Sequence, residues 1–224
     1  MTSTPDRPVV APPGLQEIAD GVFAYVQPNG GWCLNNAGLV VDAGTSVLVD
    51  TVATQARAIR LREAVVGVAG AGPDILVTTH HHGDHVFGNA QFVPGATIVA
   101  HEQTRVEMIR AGLGLRELWP DVEWGDTPVV LPALTFRDAV TIHAGELCLE
   151  LFHLGPAHTT NDVVVWVPER RVLFAGDIVM SGVTPFCLMG SIQDRCAPSS
   201  ACADSARRPS SQATGRSAGR PSST

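Results

Sequence analysis

Four imidazoles and one carboxylate fall within six consecutive positions, His80-His81-His82-Gly83-Asp84-His85. Neutral imidazole nitrogen and carboxylate oxygen are the ordinary ligands of zinc and its neighbours, and His80 and His82, two residues apart, can face one cation together. Asp84 and His85 follow from a helix start that Gly83 or Asp84 opens. A solvated His-rich loop is the competing reading, and this mixture of donors at the end of a strand disfavours it. Two more groups follow turns at strand ends: His158 after Leu154-Gly155-Pro156-Ala157, and Asp177 after Phe174-Ala175-Gly176.

The elements around these residues have to deliver them to one place. Asp74 to Thr78 is a short apolar, β-branched run entered through Gly70-Ala71-Gly72-Pro73, which predicts a buried strand ending where the histidines begin, a usual place for ligands in α/β sheets. Before it, Leu15 to Val26 alternates around Asp20-Gly21 as a hairpin, and Leu39-Val40-Val41 with Ser46 to Val49 forms a second. Asp50 ends that strand, where a buried carboxylate needs a partner, so a supporting role beneath the histidine loop is expected. Thr54 is a suitable N-cap for a helix from Gln55 to Val66, with Gly67 past its end. Ala96 to Ala100 reads as a strand and Glu102 to Ala111 as a helix. The stretch Gly112 to Pro132 has no clear period and is a candidate lid. Strands are expected at Ala133–Phe136, Val140–His143, Leu147–His153, Val163–Val167 and Val172–Ala175. His101, His143 and His153 are read as structural, His143 and His153 as packing, and Trp32 and Cys33 as core residues in preference to pocket walls.

Length and charge narrow the class. A chain of 224 residues is read as one domain, with two small ones as the alternative. The formal charge of -7 argues against a nucleic-acid surface and against simple electrostatic attachment to anionic membranes. Met1 to Gly14 has no basic start followed by an apolar run, so neither a signal peptide nor a membrane span is expected and a cytoplasmic protein is. Five cysteines without a CxxC pair suggest reduced thiols. Every basic residue is arginine, read as the codon bias of a GC-rich gene. The expected organisation is a flexible N-terminus over 1–14, the main domain over 15–192 and a disordered tail over 193–224, which has no Val, Ile, Leu, Met or aromatic residue to bury.

The loop Thr79 to His85, then Gly155-Pro156-Ala157-His158-Thr159, then Leu173-Phe174-Ala175-Gly176-Asp177, in this order, resemble the metallo-β-lactamase superfamily over roughly Leu15 to Ile192. The resemblance implies an α/β fold, an αββα sandwich. It implies a first metal site of His80, His82 and His158, and a second of Asp84 and His85 with Asp177 bridging the two ions. Zinc is the implied metal, up to two ions, with iron or manganese as alternatives. Asp84 is the implied catalytic group, steering the proton of a metal-bound hydroxide. His82 in place of a glutamate is similar to the hydrolase branch, and His85 with Asp177 resembles glyoxalase II and its relatives. The family's last histidine ligand has no counterpart after His158, so the reading includes a truncated or frameshifted gene lacking the final strand and helix, with a weakened second site.

The function expected is therefore hydrolysis of an ester, thioester or lactone by metal-activated water. Gly30-Gly31-Trp32-Cys33-Leu34-Asn35-Asn36 is similar to the cyclase/thioesterases of aromatic polyketide pathways, which implies a small-molecule acyl substrate presented on an acyl carrier protein. A non-catalytic metal-binding remnant is the alternative. A relative of the family's RNA nucleases is disfavoured by the acidic body, and neither a nucleic-acid nor a membrane partner is expected.

Overall fold

Alternating apolar residues build two faces on one sheet, and that alternation organises the molecule. The structure, a computed structural model, describes residues 13–27, 32–180, 187 and 190. β1 (Gly14–Ala19) and β2 (Val22–Val26) form the first hairpin, and β3 (Ala37–Asp42) with β4 (Thr45–Val49) the second. After α1 (Gln55–Ala69) the chain enters β5 (Ile75–Thr78), then α2 (Gly83–Val86), β6 (Thr97–His101), α3 (Glu102–Ala111), α4 (Leu115–Leu118) and β7 (Leu134–Phe136). These seven strands make one sheet in sequence order, antiparallel from β1 to β4 and parallel from β4 to β7. β8 (Ala139–Ala144), β9 (Leu147–His153), β10 (Val163–Val167) and β11 (Val172–Phe174) make a second, antiparallel sheet.

Successive side chains of a strand point to opposite faces. Val40, Val47, Val49, Val77 and Val99 therefore meet Leu149, Leu151, Val163 and Val165 of the second sheet in one buried cluster. Their neighbours Leu39, Leu48, Leu76 and Ile98 point the other way and close on Ala58, Leu61 and Val65 of α1. Truncating Leu61, fully buried there, to Ala would cost about 2–5 kcal/mol.

α1 starts at its expected cap, where Thr54 accepts a hydrogen bond from the Arg57 N–H, but it runs three residues beyond Val66. Gly67 is not its stop. Gly70 takes that role because it holds the left-handed φ of 77° that lets its own N–H bond to the Val66 carbonyl. The Gly112–Pro132 stretch, read as a candidate lid, packs down on the molecule. Phe87, Met108 and Trp124 bury a third apolar cluster against its Leu113, Leu115, Trp119 and Leu131, a pattern with no period for the sequence to reveal.

The described residues thus form three layers, helix on sheet on sheet. The fourth, helical layer of an αββα sandwich has no counterpart among them. Residues 1–12 of the N-terminal segment, Gly30-Gly31, and the 193–224 tail lie outside the described residues; Gly14 already belongs to β1. No helix among the described residues is long and apolar enough to cross a membrane.

Candidate metal centre

The parallel strands β4 and β5 end side by side, and their carboxyl ends deliver Asp50 and then Thr79 with the histidine loop. From the second sheet, β9 and β11 both run antiparallel to β10, so the turn carrying His158 and the segment carrying Asp177 emerge at one end. The Val163 N–H donates to the Thr79 carbonyl at 2.8 Å and ties the two sheets together there. Gly176, at φ 52°, passes so close that a Cβ would lie 2.8 Å from Thr79 Oγ1. Only glycine combines that backbone angle with that approach.

Two donor groups result. One nitrogen each from His80, His82 and His158 lie within 4.8 Å of one another, as do donors from His80, His85 and Asp177. His158 Nε2 is 3.0 Å from His82 Nδ1. Asp177 stands between the groups, with Oδ1 3.3 Å from His85 Nε2 and Oδ2 3.6 Å from His158 Nε2. Asp84 reaches to 3.9 Å of His85 Nε2 and faces the cavity.

A single buried carboxylate fixes which nitrogens face inward. Asp50 takes hydrogen bonds from the Thr79 N–H (2.7 Å), from Thr79 Oγ1 (2.7 Å) and from His85 Nδ1 (2.9 Å). Having spent its proton on Asp50, the Thr79 hydroxyl accepts from His80 Nδ1 at 3.1 Å. Both His80 and His85 therefore keep a proton on Nδ1 and turn Nε2 toward the centre, the second hydrogen bond that orients metal-binding imidazoles. Asp50 itself sits at a left-handed φ of 63°, an uncommon position for a non-glycine residue that its three hydrogen bonds hold in place.

This arrangement provides the test for a cation. His80 Nε2, on an imidazole that its surroundings keep neutral, is buried and makes no hydrogen bond, and a buried lone pair left so costs free energy unless something else takes it; His85 Nε2 faces Asp177 Oδ1 at 3.3 Å. A divalent cation fits the donors present. Burial first, then the neighbouring imidazoles of His85, His82 and His158, hold His80 well below the ordinary histidine range. Burial with His81, His158 and His85 brings His82 down to about 3. Both are therefore neutral donors at physiological pH. Burial works against charge on His85 too, but the carboxylates of Asp177, Asp50 and Asp84 outweigh it and raise His85 well above its usual value. Burial would raise Asp177, yet His85, His158 and His82 bring it to about 2, whereas burial and Asp177 raise Asp84. The region thus offers strong negative potential beside neutral nitrogens.

The remaining histidines are excluded from the centre. His81 turns away, its ring nitrogen accepting from Asn161 Nδ2 at 3.0 Å. His101 caps α3, accepting from the Gln103 N–H, and stacks on His153 with ring centroids 3.9 Å apart. His143 is not packed in the core as expected; its strand face is turned to solvent, where its Nδ1 lies 3.3 Å from Cys148 Sγ. Sequence reading passed over Thr79 and also Asp162, whose carboxylate accepts from the Thr159 N–H (2.7 Å) and hydroxyl (2.9 Å) to shape the turn carrying His158. The only available signal was position, a threonine beside the histidines and an aspartate four residues after His158.

The centre lies in a cavity of about 1080 Å³ whose wall includes Trp32, Cys33, Asn35 and Trp119. Trp32 was expected in the core and is instead 70 % exposed, on the cavity wall. Burial, followed by the nearness of Asp84, pushes the Cys33 thiol up to about 12, so it is an inert neutral group.

Residues 30–189 match the family model described as "Metallo-beta-lactamase superfamily". The chain is 22% identical over 166 residues to a metallo-beta-lactamase type 2 of Bacteroides fragilis, covering 72% of this chain and 61% of that protein. It is 30% identical to the 2,4-dinitroanisole O-demethylase subunit alpha of a Nocardioides species (75% and 44% covered) and 26% identical to the hydroxyacylglutathione hydrolase of Brucella ovis (66% and 49%). It thus spans between 44% and 61% of the length of these relatives. Among solved structures, a metallo-beta-lactamase from Pontibacter korlensis superposes with a TM-score of 0.68 at 19% identity, covering 82% of this chain and 81% of its own, a likeness of fold.

Proposed function

The chain belongs to the metallo-beta-lactamase superfamily, and from that premise we propose that it hydrolyses an ester, thioester or lactone at a zinc centre. His80, His82 and His158 hold one ion; His85 and Asp84 serve a second, with Asp177 between the two. The single observation that carries this reading is the convergence of the buried Nε2 atoms of His80 and His85, each held toward the centre by a hydrogen-bond path from Asp50.

A bound zinc ion would supply an activated water and a Lewis acid for the acyl carbonyl. The protein's own residues do the rest. Asp84, raised by burial, takes and returns a proton at the cavity floor. Asp177 balances charge between the two groups, and the cavity walls seat the acyl portion. Within this class we favour a cyclase/thioesterase acting on a chain presented by an acyl carrier protein, which the wall position of Trp32-Cys33-Leu34-Asn35 supports. A carrier-bound substrate would enter at the same open cavity.

The test is elemental analysis of the purified protein together with a panel of an aryl ester, an aryl thioester, an aryl lactone and an aryl methyl ether. The ether belongs there because one relative is an O-demethylase subunit. Stoichiometric zinc with chelator-sensitive acyl hydrolysis is expected. Zinc without turnover on any acyl compound would support the alternative, a non-catalytic metal-binding protein, and absence of metal from freshly prepared protein would remove both.

A further inference from the structure

More than half of the exposed large apolar side chains among the described residues gather at one place. Of the eleven large hydrophobic residues exposed among the described ones, six line the cavity over the candidate metal centre: Ile18, Val26, Trp32, Leu118, Leu173 and Val179. Concentration of apolar exposure at one concave site marks a place where an apolar group binds. The polar floor holds His82, Asp84, His85 and Asp177, yet none of the chain's arginines is on the wall among the described residues. A substrate carrying its own negative charge would meet carboxylates and no cation.

One part of this wall is flat. Trp32, from the loop before β3, and Trp119, from the stretch after α4, meet with ring centroids 5.8 Å apart and planes tilted by 32°. The two rings come from segments far apart in sequence, and the first turn of α1 holds both. Arg57 donates to the carbonyls of Cys33 (2.8 Å) and Trp32 (3.5 Å). Two residues earlier, the Gln55 N–H donates to the Trp124 carbonyl (2.9 Å), and Gln55 Oε1 accepts from the Asp126 N–H (3.0 Å). Trp124 in turn donates from Nε1 to the Trp119 carbonyl at 3.2 Å. The helix that backs the sheet therefore also sets the spacing of the two indoles.

We propose that the Trp32–Trp119 pair is a stacking ledge for a flat, apolar, uncharged acyl group, and that Trp119 determines specificity for it. This rests on the acyl-hydrolase reading for the identity of the reacting bond. The recognition itself is independent of turnover, since an aromatic face attracts a flat π system whether or not a bond is broken.

The experiment separates the two. Binding of 2-naphthamide, which presents the flat group without a cleavable ester, is measured on the protein as purified by calorimetry and tryptophan quenching, against cyclohexanecarboxamide and 6-sulfo-2-naphthamide. Tighter binding of 2-naphthamide than of either comparator is expected. Trp32→Ala and Trp119→Ala should each weaken it roughly three- to tenfold, with Trp119→Phe restoring most of the loss. Because Trp32 is 70 % exposed, its removal leaves the core intact and keeps the test open should Trp119→Ala loosen the segment around it. Equal affinity for the flat and the puckered amide, or unchanged affinity in Trp32→Ala, would overturn the ledge. Equal or tighter binding of the sulfonated amide would overturn the uncharged part. If binding depends on both tryptophans while no acyl compound is hydrolysed, the ledge stands and the hydrolase reading falls.

Discussion

The centre and the rim of the cavity are held in different ways. At the centre the rings of His80 and His85 are fixed from behind by buried hydrogen bonds that trace to one carboxylate, Asp50. At the rim Trp32 and Trp119 rest on bonds from α1 to backbone carbonyls of their loops, and Trp32 is largely exposed. The difference teaches where precision is stored. Binding a cation tolerates little displacement of its ligands, so the chain invests buried polar bonds there. Seating an apolar group depends on surface that is merely present and flat.

Perturbing the two regions should therefore give effects of different size and kind. The largest is expected from His158→Ala, which removes one nitrogen of the three-imidazole group. Metal at that group should fall to near zero by elemental analysis and hydrolysis should go with it; retention of a full equivalent would show that the ion is held elsewhere. Next is Asp50→Asn, which keeps one acceptor oxygen in place of two and so loses at least one of the three hydrogen bonds. Metal affinity should drop about 10–100-fold in competition with a chromogenic chelator, and an unchanged affinity would make Asp50 a purely structural residue.

A chelator titration of the unmutated protein should show two steps. The three-imidazole group offers three nitrogens, whereas among the described residues the group around His85 adds only carboxylates to the shared His80. One ion should resist dialysis and a second should leave first; simultaneous release would mean the two groups form one cooperative site. The rim gives a smaller effect. Arg57→Ala, which frees the Trp32–Cys33 backbone at a cost of about 1 kcal/mol, should raise KM for a flat aryl ester a few fold while leaving kcat and metal content unchanged. A fall in kcat alone would move Arg57 from the rim to the centre. His143→Ala, on the solvent face of the second sheet, should change neither metal content nor stability by more than about 0.5 kcal/mol, and a larger loss would reveal a role for its contact with Cys148.

The sequence was legible where residue type leaves little choice. Donor chemistry marked His80, His82, Asp84 and His85, and strand ends marked His158 and Asp177. The apolar runs Ser46–Val49 and Asp74–Thr78 foretold buried strands, and the structure covers them on both faces. Thr54 and the boundaries Glu102–Ala111 were equally readable, because capping and helical periodicity are local. Where two neighbouring residues could do the same local job the reading failed, as when Gly67 was taken for the helix stop that Gly70 provides.

By itself, then, the sequence determined the donor set and the strands that carry it, since both depend on side-chain chemistry and on spacing along the chain. Only the tertiary structure decided what keeps His81 apart from the others. His81 lies between two inward-facing neighbours and is turned away by Asn161, a residue eighty positions on. It also decided that Asp50 governs two imidazoles at once, that Gly112–Pro132 packs as a third cluster, and that Trp32 and Trp119 meet over the cavity. Each of these is a contact between segments distant in the chain, and its geometry is set by how two sheets and a helix close on one another. No local pattern of residues encodes that closure.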